Sequence, residues 1–298
     1  MTPGPESPLV SVILPTRNRA AMLPNAIKSV LAQTYANFEL IIVNEGSSDN
    51  TSMVVNSFTD ERINHVQYEI PLGPGTARNK GIAESKGDYL TFLDDDDRFL
   101  PEKLSVQVKA LQKAVATVGM VISDVQVYKD GAPTDFFPYD GESGHVFLHV
   151  LAGNFFPLNA SLISRKNIVN FDPRLPCLED IDFHLKILRN SHAVYVGVPC
   201  AVYNIDQNRK RLSHDRINMH RSFRILLERW FNDPADKLLA DAKPEILSNF
   251  ALRLYALGYT DEMTKDYINR AFKLKKISRM MWLKLMSLGG PEVMKRMR

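Results

Sequence analysis

The sequence predicts an α/β protein: a sheet with crossover helices, followed by an α-helical C-terminal region. Three observations carry this reading. Short apolar runs alternate with segments of helical apolar spacing from Leu9 to Tyr128. Clusters of polar residues and turn formers close most of the apolar runs. From about Asp215 onward no strand pattern survives. Strands that are apolar throughout, joined by helices, argue a parallel sheet covered on both faces.

The elements follow in order. Leu9 to Leu14 is an apolar run ending at Pro15, which suits a buried strand. Ala20 to Gln33 carries Leu23, Ala26, Ile27, Val30 and Leu31 at helical spacing. Phe38 to Val43 is a second buried strand, and Asp49 to Phe58 a helix with Asp49 as its N-cap. His65 to Ile70 is a strand, Thr76 to Ser85 a helix, and Asp88 to Leu93 a strand running into four aspartates. Pro101 to Thr117 is a helix with proline in its first turn, and Met120 to Tyr128 a further strand. The middle of the chain is mixed. Ala132 to Gly144 reads as loop, Glu179 to Asn190 as helix, and Ala193 to Val196 and Ala201 to Tyr203 as two short strands. Helices are expected at 216–231, 244–257, 260–275 and 278–288. The expected division is a domain over residues 1–212 and an α-helical region over 213–298.

Composition limits the function classes. The 298 residues are 45% hydrophobic and 24% charged, the balance of a folded globular chain. Cys177 and Cys200 are too few for a disulfide framework. No apolar run reaches the roughly 18 residues of a spanning helix. Met1 to Pro8 does not read as a signal peptide, so the expected setting is the cytoplasm. The net charge is +3, but Arg270 to Arg298 holds nine Lys/Arg and one acid, which leaves the body mildly acidic. An acidic body without a reading motif argues against nucleic acid. The basic tail mixes its charge with Trp282, Leu283, Leu285 and five methionines. It can pack on the body or lie on an anionic bilayer, at the inner face of the membrane.

Ligands of open α/β sheets sit beyond the carboxyl ends of the strands. The chemistry is therefore sought in Pro15-Thr16-Arg17-Asn18, Asn44-Glu45-Gly46-Ser47 and Asp94-Asp95-Asp96-Asp97. Four carboxylates in a row repel one another unless a cation neutralises them, and an all-oxygen set favours Mg²⁺, Mn²⁺ or Ca²⁺. The alternative is a solvated acidic turn. Gly73-Pro74-Gly75 leads into a helix whose N-terminus favours an anion, with Arg78 able to fork to a phosphate, or it is only a turn. Glu179, Asp180 and Asp182 open another helix, either as dipole-favoured acids or as a general base. Cys177 beside them reads as a small packing residue.

Taken in order, these pieces resemble the inverting family 2 glycosyltransferases, which have the GT-A fold. The resemblance rests on Ser11 to Asn18, Ala26 to Tyr35, Phe38 to Val43, Gly46 to Asp49, Ala77 to Ile82, Phe92 to Asp97 and Glu179-Asp180, and covers roughly residues 8–205. It implies a Rossmann-like mixed sheet flanked by helices. It also implies sugar transfer, with inversion, from a nucleotide-diphosphate donor to a saccharide or lipid-linked acceptor, in polysaccharide or glycan synthesis. A uridine-diphosphate sugar is the favoured donor. By the same resemblance Pro15, Thr16 and Asn18 line the nucleotide pocket, and Arg78 lies near the nucleotide. Glu45 stands where the family has a base-contacting aspartate and is one methylene longer. Asp94 and Asp96 hold a divalent metal, Mn²⁺ or Mg²⁺, on the diphosphate, with Asp94 and Asp95 close to the donor. Asp180 matches the catalytic base. The family often has a histidine after the late strand; here Asp206 and His214 both remain open as a third ligand.

Two other classes stay in view. A sugar nucleotidylyltransferase needs a glycine-rich activating loop after the first strand, and Pro15 to Asn18 is not one. A non-catalytic nucleotide-sugar binder would lack the base or the metal motif. The acceptor is expected to meet the variable stretch 132–159, where Phe136, Phe137, Tyr139, Phe155 and Phe156 can stack on sugars or pack in the core.

Overall fold

A computed structural model describes residues 7–137, 142–151, 153–205 and 215–231. Two compact units are distinguished, Met1–Phe147 with Phe155–Phe223, and Leu148–Asn154 with Arg224–Arg298.

The first unit is a mixed sheet with helices packed on it. Its strands are β1 (Val10–Thr16), β2 (Phe38–Glu45), β3 (Ile63–Tyr68), β4 (Tyr89–Phe92), β5 (Arg98–Phe99), β6 (Val118–Lys129), β7 (Ala132–Phe137), β8 (Ser161–Ser164) and β9 (His192–Ile205). Its helices are α1 (Leu23–Leu31), α2 (Thr51–Asn56), α3 (Pro74–Glu84), α4 (Lys103–Lys113) and α6 (Glu179–Leu188). Helix α5 (Phe147–Leu151) begins in this unit, and α7 (Arg216–Phe231) has its first turns there. The strand order is β3-β2-β1-β4-β8-β6-β9-β5, with β7 on β6.

Apolar runs make the centre. Val10, Val12, Ile13 and Leu14 of β1 and Leu40 to Val43 of β2 are fully buried, as strands covered on both faces require. α3 packs directly on β1, and a methyl group at Gly81 would run into the Ile13 side chain. The three rings of Phe92, Phe171 and Phe183 pack together, with Phe171 and Phe183 stacked at 4.0 Å. They join β4, α6 and the segment before α6 into one core.

β1 pairs in parallel with β2 on one side and β4 on the other. The chain winds outward in both directions from this pair, so the crevice beyond the ends of β1 and β4 is a topological switch point. The all-parallel sheet expected from periodicity alone is corrected here. β8 runs antiparallel to β4 and β6, β7 to β6, and β5 to β9. β5 and β8 are too short to show a period, and β7 lies in a stretch that reads as loop. The two strands expected at 193–196 and 201–203 are one, β9, whose register against β6 shifts around Gly197, a glycine in the left-handed region. Such an irregularity interrupts the alternation and hides the continuity.

β1 runs on through Pro15 to Thr16, since proline's fixed φ tolerates extended backbone. The cap expected from Asp49 acts from one residue further out: α2 starts at Thr51, whose N–H and hydroxyl both donate to Asp49 Oδ1 at 2.9 and 2.5 Å. α4 starts at Lys103, two residues after the expected Pro101. α7 matches its expected bounds.

In the second unit, the described residues include the rest of α5 and the end of α7, where Leu226 and Trp230 are buried. Among the described residues no helix is long and apolar enough to cross a membrane. The expected boundary near residue 212, the three later helices and the basic tail lie outside the described residues.

Candidate functional site

The switch-point crevice gathers the residues that the sequence singles out. At the end of β1, the Thr16 hydroxyl donates to Asp95 Oδ2 at 2.8 Å, across to the turn that follows β4. Asn18, at a φ of 53°, sews the first loop to the second. Its N–H reaches Ser47 Oγ at 2.9 Å, and its Oδ1 accepts the Ser48 N–H at 2.8 Å. Asn44 is fully buried and shapes the same loop, accepting from the Ser47 hydroxyl and donating to Ser52 Oγ. Glu45 is buried and accepts the Leu72 N–H at 3.3 Å. Burial raises its pKa against the pull of that N–H.

Asp94 to Asp97 form a tight turn closed by the Asp97 N–H on the Asp94 carbonyl at 3.0 Å. The four carboxylates divide by direction. Asp95 turns back to Thr16, with Arg19 at 3.8 Å, and burial pushes its carboxyl up to about 7. Asp94, Asp96 and Asp97 each offer an oxygen, and the three oxygens lie within 4.8 Å of one another. Three hard oxygens so close fit a divalent ion such as Mg²⁺ or Mn²⁺. Asp97 therefore lies beside the expected pair at the turn, and Asp95 stands apart from it. A cavity of about 240 Å³ borders this turn, between Met22 and Asn25 at the start of α1 and Asp96, Asp97 and Asn204.

Arg78 is 5% exposed and lies between two carboxylates. Its Nη1 is 2.6 Å from Glu179 Oε1, and its Nη2 is 2.7 Å from Asp94 Oδ1. Burial works against its charge, but Asp94 and Glu179 outweigh burial and hold the guanidinium protonated. The free fork expected of Arg78 is therefore already taken by the protein's own acids. Its neighbour Asn79 holds the Phe171 backbone from both sides, donating to the carbonyl at 2.9 Å and accepting the N–H at 2.7 Å. That pair fixes the segment leading into α6.

The three acids of α6 separate in the same way. Glu179 is paired with Arg78. Asp182 is fully buried and ion-paired with Lys186 Nζ at 2.7 Å, one turn on. Asp180 is half-buried, with only its neighbour's N–H, from Ile181, on Oδ1 at 2.9 Å among the described contacts. Burial, then the Glu179 charge, raise its pKa, with Arg78 opposing. Leu178 at the cap is left-handed and makes no side-chain cap, so among the described contacts the one first-turn N–H held by an acid here is that of Ile181 on Asp180. That bond keeps the capping alternative open for Asp180 beside its reading as a base. Cys177 is buried, and its thiol is pushed up to about 11, as fits a packing residue.

Asn159 and the Asn204 backbone, both on Asp97, escaped the sequence reading. Asn159 lies in a stretch without periodicity, and nothing in its neighbours marks it. Phe156 is buried against His184 at 4.2 Å, and Phe155 is half-buried. Tyr139, the side chains of Phe136 and Phe137, Asp206 and His214 lie outside the described residues.

The sequence profile of Glycosyl transferase family 2 matches residues 11–161. WcaA of Escherichia coli strain K12, a glycosyl transferase named for colanic acid biosynthesis, is 30% identical over 190 residues, covering 61% of this chain and 67% of WcaA. WfgD of Escherichia coli, a UDP-Glc:α-D-GlcNAc-diphosphoundecaprenol β-1,3-glucosyltransferase, is 40% identical over 105 residues, covering 35% of this chain and 42% of WfgD. Among solved structures, the mannosyltransferase PcManGT from Pyrobaculum calidifontis, in complex with GDP-Man and Mn²⁺, superposes with a TM-score of 0.58. It is 18% identical and covers 98% of this chain and 86% of PcManGT. At that identity the likeness is one of fold.

Proposed function

The chain belongs to glycosyl transferase family 2, and we propose that it transfers a sugar from a nucleoside-diphosphate donor to a saccharide or lipid-linked acceptor, with inversion, in the synthesis of a cell-surface glycan. One observation carries the reading. The turn after β4 and the start of α6, 85 residues apart in sequence, meet through Arg78, so that a three-carboxylate cluster and the acid Asp180 share one crevice. The donor and acceptor chemistry named for WfgD supports a uridine-diphosphate sugar and a lipid-linked acceptor. The PcManGT complex supports a divalent metal.

In this reading Asp94 and Asp96 hold the ion. When bound, it would stabilise the negative charge of the departing diphosphate. Pro15, Thr16, Asn18 and Glu45 line the nucleotide's side of the crevice, and Asp95, fixed by Thr16, closes it. Glu45 is held by the Leu72 N–H and offers carboxylate lone pairs to an N–H on the edge of a base. Arg78 keeps Asp94 and Glu179 in register rather than binding phosphate. Asp180 takes the proton from the acceptor hydroxyl as that oxygen attacks the anomeric carbon from the face opposite the diphosphate. A raised carboxyl pKa suits a base that must hold this proton.

Incubation with a panel of UDP- and GDP-sugars, Mn²⁺ and a polyprenyl-diphosphate sugar tests the proposal. Release of nucleoside diphosphate with a β-linked product from an α-linked donor supports it. Pyrophosphate turnover would instead place the chain with nucleotidylyltransferases, and binding without turnover would make it a nucleotide-sugar binder.

A further inference from the structure

Of the three carboxylates that converge on the turn, Asp97 differs from the other two in its surroundings. It is 3% exposed, whereas the Asp94 side chain is 42% exposed. Its Oδ1 receives the backbone N–H of Asn204 at 2.9 Å, and its Oδ2 receives Nδ2 of the buried Asn159 at 2.8 Å. The side-chain amide of Asn204 also donates to the Asp96 carbonyl. The Asp97 N–H closes the turn on Asp94. Asp97 thus ties the acidic turn to the end of β9 and to the 3₁₀ turn Leu158–Ala160 before β8. Four adjacent carboxylates push such a turn apart, and N–H donors on an ionised acceptor make strong restraints against that push.

We propose that Asp97 is a positioning residue that sets the backbone of Asp94 to Asp96, and is not itself a ligand of the ion. The inference rests on the reading of Asp94 and Asp96 as the metal carboxylates. A second observation makes it testable by a conservative change. Asn159 Oδ1 is buried, and no donor among the described residues reaches it. An asparagine at position 97 would keep an acceptor for the Asn204 N–H and present an amide N–H₂ to residue 159. Asn159 can turn its own amide over and accept that N–H with the oxygen now idle. The anchor then survives without its charge, whereas a metal ligand would not.

Binding of Mn²⁺ in the presence of UDP, read by the electron paramagnetic resonance of free Mn²⁺, decides the matter without any turnover. Metal-free thermal melting checks each fold. Asp97→Asn is expected to bind Mn²⁺ within about tenfold of the wild type, and Asp97→Asn with Asn159→Leu to lose a further ~10–100-fold, the usual cost of an outer-shell partner. Asp96→Asn is the reference for a lost ligand. If the double variant does not fold, the comparison of Asp97→Asn with Asp96→Asn still decides. Asp97→Asn failing as completely as Asp96→Asn overturns the inference alone, as does a folded double variant that binds like Asp97→Asn. A wild type that binds no Mn²⁺ overturns the inference together with the metal reading beneath it.

Discussion

The guanidinium of Arg78 lies 2.7 Å from Asp94 at the acidic turn after β4, and its other arm meets Glu179, the residue before Asp180, at 2.6 Å. One buried cation thus sets the spacing between the turn proposed to hold the donor and the helix proposed to hold the base. Removing it leaves Glu179 as a buried, uncompensated charge. Arg78→Met is expected to lower stability by about 3–5 kcal/mol, the usual cost of breaking a buried pair. Urea unfolding checks this, and a loss under about 1 kcal/mol, the level of an exposed pair, would contradict the burial of the network.

The three acids of α6 should part in their effects. Asp182→Asn breaks the pair between the fully buried Asp182 and the partly exposed Lys186 and is expected to act on stability. Thermal melting and a transfer assay on the same sample separate an effect on stability from one on turnover. Asp182→Asn that melts like the wild type but fails in transfer would move the base to Asp182.

A pH effect on stability follows from Lys103. This side chain is fully buried, donates to Gln107 Oε1 at 2.6 Å, and is depressed by burial to about 7. Below about 7 the folded and unfolded chains both carry the proton, and the full cost of burying the charge is present. Between about 7 and the ordinary lysine value of 10.5 only the unfolded chain carries it, so this residue's contribution to stability rises with pH. Lys103→Met removes that contribution. The difference in melting temperature between variant and wild type should therefore shrink from pH 7 to pH 10. A constant difference would show that Lys103 keeps its ordinary pKa.

Transfer should respond to pH through Asp180. Its carboxyl is pushed up to about 7, so the proton must leave before the group can act as a base. The log of kcat/KM is expected to rise with unit slope below about pH 7 and level off above it. A flat profile from pH 5 to 8 would deny Asp180 that role.

These relationships were unevenly legible in the sequence. β1, β2 and α1 declare themselves through unbroken apolar runs or helical spacing, and α7 through its period. The acidic turn and the Glu179-Asp180 pair are visible because charge at a strand end or a helix start is unusual enough to ask for a reason. What the sequence does not carry is direction. Nothing in four consecutive aspartates says that Asp95 turns to Thr16 while the other three converge. Nor does Arg78 announce that partners 16 and 101 residues away take its fork. β5 and β8 have two and four residues, too few for any period, and exist because longer neighbours pair with them. Asn159 gives no signal, because its role lies in one hydrogen bond to a residue 62 positions away.

The most direct measurement compares Asp180→Asn with the wild type, in transfer from a UDP-sugar with Mn²⁺ and in calorimetric binding of the donor. The substitution keeps the size of the side chain and removes only its capacity to take a proton. The expected result is donor affinity close to wild type with kcat lower by about 10²–10⁴-fold, the range of general-base assistance. Transfer at the wild-type rate by Asp180→Asn, with donor bound equally well, would contradict the assignment of the base and the crevice as the site of sugar transfer.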